Sequence, residues 1–168
     1  MKIKTKELTL AALLGGLYVT LTVTQHLLLP GSANSILQFR VSEMLCVFAL
    51  ITPMAIPALT VGCFISNLLM GLGAIDLVLG PVATLLALVF MRLLSKVKIK
   101  QLPILSFLSP PLFNGLIVGA ELAFFIMESN NAFNLFLISA GLVFIGETVV
   151  MALSIPFYFL IKNRKLFK

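Results

Sequence analysis

Charged residues are scarce in this sequence, making up 11% of its 168 residues, where a soluble domain carries about 25%. That shortage excludes an ordinary soluble domain. With 60% apolar residues and a mean hydropathy of +1.14, the chain reads as an integral membrane protein. Histidine occurs once, as His26, so an H-E-x-x-H zinc site is impossible and no Ser-His-acid order is compelling. There is no Gly-Lys dipeptide, hence no P-loop for ATP. The two cysteines, Cys46 and Cys63, lie in apolar runs without a C-x-x-C motif and read as packing residues, not metal or redox groups. No catalytic template fits, and an intramembrane hydrolase built on two carboxylates has no recognisable motif here. The expectation is a non-enzyme with no cofactor and no metal.

The net charge of +6 does not point to nucleic acid, because eleven of the twelve Lys and Arg residues sit in three groups at the ends of apolar runs. These are Lys2, Lys4 and Lys6; then Arg92, Lys96, Lys98 and Lys100; then Lys162, Arg164, Lys165 and Lys168. Basic residues flanking spans mark the cytoplasmic side, so both termini and the middle connection are expected inside. An even number of spans is then required between groups. At about 20 residues per span, four fit before Arg92 and two after Lys100. The expectation is an all-α, six-transmembrane-helix bundle in the plasma membrane, one domain over residues 1–168.

The first span is expected from Glu7 to Leu29, too long for a signal-peptide apolar region. Ala11-xxx-Gly15 and Ala12-xxx-Gly16 on its cytoplasmic half allow close helix approach. They serve either packing inside the bundle or docking of a partner protein. Residues 30–35, Pro-Gly-Ser-Ala-Asn-Ser, have turn chemistry. Span two is expected over Phe39–Ile51, short for a crossing, ending where Pro53 and Pro57 interrupt a continuous helix. Span three follows to Met70, and Asp76 opens span four, which runs to Leu94. Span five either begins at Ser109, with Pro110 and Pro111 in its first turn, or begins near Leu102 and kinks. Along it, Asn114 and Glu121 share a face, and Gly115 and Gly119 form another small pair. Span six covers Phe133–Ile161, with Glu147 near its middle.

The twelfth base, Arg40, sits with Glu43 at the head of an apolar run. A charge in the hydrocarbon core costs about 2.5–3.5 kcal/mol on insertion scales. Arg40 and Glu43, three apart, either ease a helix into the bilayer as an ion pair or line a polar site. Asp76 is either a helix-start residue favoured by the macrodipole or part of that site. Folding with the orientation above brings Glu43, Asp76, Glu121 and Glu147 toward a single base, Arg40. Such an acidic surplus is neutralised by protons or a bound cation, and a carboxylate suits a guanidine-like or guanine-like edge. A small-molecule binding site within the bundle is the functional expectation.

The run Gln38-Phe39-Arg40-Val41-Ser42-Glu43-Met44-Leu45, then 52–59 (Thr-Pro-Met-Ala-Ile-Pro-Ala-Leu), Gly62-Cys63 and Asn67-Leu68, resembles the QueT family. So do 76–87, running from Asp76 through Gly80-Pro81 to Thr84 and Ala87, then Pro110-Pro111, Asn114-Gly115, Gly119-Ala120-Glu121-Leu122 and Gly146-Glu147, in the same order. The resemblance implies the substrate-binding (S) component of an energy-coupling factor transporter with six helices, importing queuosine precursors such as 7-aminomethyl-7-deazaguanine. It implies a separate transmembrane coupling (T) protein and two cytoplasmic ATPases as partners. Ala11, Ala12, Gly15 and Gly16 then resemble the first-helix docking motif, with glycine where alanine is commoner. Phe39, Arg40, Glu43, Asn67, Asp76, Asn114, Glu121 and Glu147 are the expected substrate-binding residues. Glu43 and Glu147 are favoured for direct contact, Phe39 for stacking, and Arg40 or Asn114 for the ring carbonyl. The alternatives are an S component for another micronutrient or a self-contained proton-coupled carrier.

Overall fold

The computed structural model describes residues 5–30, 39–127 and 131–162. Residues 31–35 of the turn expected over 30–35, residues 128–130 before the last span, Gln38 and most of the two terminal basic groups lie outside the described residues. The chain forms α1 (Thr5–Leu28), a 3-10 helix (Val41–Leu50), α2 (Ala55–Leu69), α3 (Ala74–Leu93), α4 (Ile104–Glu121) and α5 (Ala132–Lys162). Among the described residues the only β pairing is a single bridge, Ile99 with Leu102. The all-helical class therefore holds.

Length separates these elements into two kinds. Four apolar helices are long enough to cross a bilayer: Thr5–Leu28, Ala74–Lys96, Ile104–Ile126 and Ala132–Lys162. Val41–Leu50 and Ala55–Leu69 are shorter, at about 20 Å and 22 Å from their rises per residue, against about 30 Å of hydrocarbon. The shortness expected of the second element is real, and its form is 3-10. Pro57 does not start a new helix. It sits in the first turn of α2, where a backbone N–H has no intrahelical partner to lose.

The fifth helix begins at Ile104, not at Ser109, and carries Pro110 and Pro111 in its interior. Ser109 is not a cap; its hydroxyl donates back to Leu105 O at 3.2 Å. What holds this proline-bearing helix is its contact with α5. A Cβ on Gly119 would lie 2.6 Å from Ala140 Cα, and one on Gly115 would lie 3.0 Å from Ala140 O. The two backbones touch through the expected small pair. After Glu121 the helix widens into one π turn, Leu122–Ile126.

The helices follow one another around the bundle, α1 against α2, α2 against α3, α3 against α4 and α4 against α5. The 3-10 segment touches all five. It is therefore the central post, and Ser42, Glu43 and the whole run Leu45–Ala49 are buried in it. Its C-terminal end is tied by Arg92, whose Nη1 donates to Ala49 O at 2.8 Å, a role beyond the flanking charge expected from sequence. Between α3 and α4, a two-residue turn closes the Ile99–Leu102 bridge with both Lys100 (φ 47°) and Gln101 (φ 71°) in the left-handed region.

The backbone contact at Gly119 leaves no room for a side chain, whereas nothing lies within 4 Å of a Cβ on Gly141. Thermal unfolding of the detergent-purified protein should show Gly119→Ala destabilised by about 1–3 kcal/mol through overpacking and Gly141→Ala unchanged or slightly stabilised by helix propensity.

Candidate functional site

The head of the central segment is fixed by α1. The buried residues of α1, Leu14, Tyr18, Thr22 and Gln25, recur at helical spacing and become polar toward its C-terminal end. Gln25 Nε2 donates to Phe39 O, and its Oε1 accepts from Val41 N at 2.9 Å. The backbone at 39–41 is thus clamped by one side-chain amide. The Thr22 hydroxyl lies 2.6 Å from Ser42 Oγ. Tyr18, with no exposed surface, donates its phenol to Glu43 Oε1 at 2.5 Å.

Glu43 is fully buried. Its second oxygen accepts from Cys46 Sγ at 2.9 Å, a contact the 3-10 geometry produces because residues three apart eclipse. Arg40, one turn earlier, extends toward α2, with Nη1 3.6 Å from Cys63 Sγ and Nη2 3.5 Å from Asn67 Oδ1. Asn67 in turn donates Nδ2 to Asp76 O at 2.9 Å. That link depends on Gly80, since a Cβ there would sit 2.6 Å from Asn67 Nδ2.

The remaining acids gather around the same guanidinium. Arg40 faces Glu43, Glu147, Tyr18 and Cys63, and is within electrostatic reach of Asp76 and Glu121. Glu147 of α5 is buried, lies near Glu43, and has the Asn114 amide of α4 beside it. Glu121 is buried at the end of α4 and adjoins the carboxyl of Asp76, which is half-buried in the first turn of α3. Among the described residues, neither Glu121 oxygen meets hydrogen-bond geometry, and Glu147 Oε2 has no partner.

Seven of the eight expected substrate-binding residues therefore converge: Arg40, Glu43, Asn67, Asp76, Asn114, Glu121 and Glu147. Phe39 is half-buried at the approach and is tied in by its carbonyl; no ring contact joins it to this group among the described residues. Tyr18 was not singled out in the sequence reading, although its place in the buried stripe of α1 was a usable signal. Cys46 and Cys63 do pack in the core, and they also touch Glu43 and Arg40. No cluster of three or more His, Cys, Asp or Glu side chains arranged to hold a metal ion occurs among the described residues.

The four small residues of α1 divide between two roles. Gly15 packs on α2, where its Cβ would meet Ala58 O at 2.9 Å, and Ala11 is half-covered. Ala12 and Gly16 are exposed, and nothing lies within 4 Å of a Cβ on Gly16. They open onto an apolar groove of about 680 Å³ between α1 and α2.

The description of the QueT transporter family matches residues 8–163. The "Queuosine precursor transporter QueT" of Lactococcus lactis subsp. cremoris (strain MG1363) is 39% identical over 84 residues, covering 50% of this chain and 48% of that protein. The match thus spans about half the length of that relative. No solved structure matches the chain. The match covers nearly the whole sequence and includes the residues that gather around Arg40 from several helices: the chain belongs to the QueT transporter family.

Proposed function

We propose that the protein is the substrate-binding component of an energy-coupling factor importer, and that its ligand is a cationic deazaguanine such as 7-aminomethyl-7-deazaguanine. The observation that carries this reading is the gathering of four acids from four elements around Arg40, with acceptor oxygens of Glu121 and Glu147 lacking donors among the described residues. Such acceptors match a ligand rich in N–H groups. The guanine-like edge offers two parallel donors to one carboxylate, and the aminomethyl ammonium balances a second. Arg40 and Asn114 supply donors for the ring carbonyl. The relative's name, a queuosine precursor transporter, supports the same ligand class.

In this reading all six helical elements cross the membrane, Val41–Leu50 and Ala55–Leu69 as its two short crossings, with both termini cytoplasmic by the distribution of basic residues. A coupling protein with two ATPases supplies the energy in this reading, and the chain itself carries no P-loop. The α1–α2 groove, with Ala12 and Gly16 at its edge, is the surface offered to the coupling protein.

Calorimetry on the purified protein should give tight binding of 7-aminomethyl-7-deazaguanine and weak or no binding of guanine and riboflavin. Glu147→Gln and Glu43→Gln should each weaken it by about 10- to 100-fold, the worth of a hydrogen bond to a charged group. Absence of binding in a folded, monodisperse sample would sink the ligand assignment. For the partner, Gly16→Leu should leave ligand affinity intact while abolishing uptake in cells that contain the coupling protein and ATPases. Uptake by this chain in cells without them would instead make it a self-contained carrier.

A further inference from the structure

A second apolar groove, of about 370 Å³, lies on the other side of the bundle, where α3, α4 and α5 meet. Its walls include Phe90, Leu94, Leu105, Leu108, Phe113 and Phe144, with the Phe90 and Phe113 rings 4.8 Å apart. Ser109, its one hydroxyl, is bonded to Leu105 O. The groove thus offers no polar group to a headgroup, and its lining fits a hydrocarbon chain.

One end of the groove, at Leu94 and Leu105, adjoins the tight turn at 99–102. That connection reads Lys96-Val97-Lys98-Ile99-Lys100, and all five residues are exposed. Three ammonium groups alternate with two apolar side chains, Val97 at 48% exposure and Ile99 at 55%. This is the composition of a segment at the level where apolar chains give way to charged headgroups. Arg92 is committed to Ala49 O, so the three lysines carry the positive charge at this end. The two-residue turn, closed by hydrogen bonds in both directions between Ile99 and Leu102, keeps the segment short and beside the groove.

We infer that this surface binds one anionic phospholipid, an acyl chain in the α3–α4–α5 groove and the phosphate at Lys96, Lys98 and Lys100. An apolar slot alone takes any lipid chain; the adjoining lysines make it selective for a negative headgroup. Basic surfaces beside transmembrane helices act in this way, each lysine near an anionic surface adding attraction that falls off within a Debye length. The site is separate from the acid cluster and from the α1–α2 groove, and it stands whatever the transported ligand proves to be.

The sequence has no tryptophan, so Phe113→Trp places a single fluorescent reporter in the groove wall. Reconstituted in phosphatidylcholine with increasing brominated phosphatidylglycerol or brominated phosphatidylcholine, it should be quenched with a preference of about fivefold or more for the anionic lipid. That is the factor expected from one lysine near a membrane surface. The triple change Lys96→Gln, Lys98→Gln and Lys100→Gln should bring the preference to parity. Equal quenching by the two lipids overturns the proposal, as does a preference that survives the triple change. Loss of the preference in inorganic phosphate at fixed ionic strength would assign the lysines to a free anion and overturn the lipid. If the triple change impairs assembly with partner proteins while lipid preference stays, the surface is a protein contact and the proposal fails. Phe90→Trp, in the facing wall, gives the same readout should Phe113→Trp not fold.

Discussion

Placing Arg40 and Glu43 inside an apolar bundle is the constraint on which the rest of the structure depends. A buried ion loses several kcal/mol of hydration even after relaxation, so each must be surrounded by compensating groups. For Glu43 these are the Tyr18 phenol and the Cys46 thiol; for Arg40 they include Asn67 and Cys63. The compensation comes from α1, α2 and the central segment itself, so the charge pair can be accommodated only when those elements are assembled. The 3-10 form contributes as well. With three residues per turn, Glu43 and Cys46 stack in one row, and Arg40, the extended cap just before them, is served by the neighbouring α2.

Close approach of those helices is the second condition, and small residues provide it. Gly62 meets Gly15 O and Tyr18 at about 3 Å from its would-be Cβ, which draws α1 and α2 together at the level of the phenol that binds Glu43. Gly80 lets Asn67 lie against α3, joining Arg40 through Asn67 to the backbone of Asp76. Gly115 and Gly119 bring α4 onto α5 at Ala140, the two helices that carry Asn114, Glu121 and Glu147. In each case the glycine lies within a few residues of a polar group it helps to position. Packing and site construction are one operation here.

Much of this was legible in the sequence because a charge in an apolar run is conspicuous. Arg40, Glu43, Asp76, Glu121 and Glu147 stand out on cost alone, and the helical segments follow from apolar length and proline interruptions. The 3-10 winding did not show, since ten residues whose only polar members are Ser42 and Glu43 carry no period that separates three per turn from 3.6. Tyr18 was missed for a related reason: a tyrosine in an apolar helix reads as packing until its hydroxyl has a visible partner. The start of α4 was ambiguous because Pro110 and Pro111 are normally first-turn residues. Tertiary contact through Gly115 and Gly119 retained them in the interior. The cysteines looked inert by spacing, which says nothing of a thiol one 3-10 turn from a carboxylate.

The distribution of the acids bears on how binding relates to fold. Glu43 belongs to the central segment, Asp76 to α3, Glu121 to α4 and Glu147 to α5, so no single helix carries the negative surplus. Like charges at one place repel unless protons or cations lie among them; Arg40 brings one positive charge to four acids, and the surplus, when ionised, acts between elements that must pack together. A cationic ligand of the class proposed would replace repulsion by attraction at the α3, α4 and α5 contacts simultaneously. Binding and tightening of the bundle are then the same event, and the stability added is set by ligand concentration over its dissociation constant. The α1–α2 contact, built on Gly15, Ala58 and Gly62, brings no acid of its own and joins that exchange only through the groups that hold Glu43 and Arg40. The face formed by α1 and α2 is therefore linked to the acid cluster through Tyr18, Cys63 and Asn67, while α3–α5 meet the ligand through acids of their own.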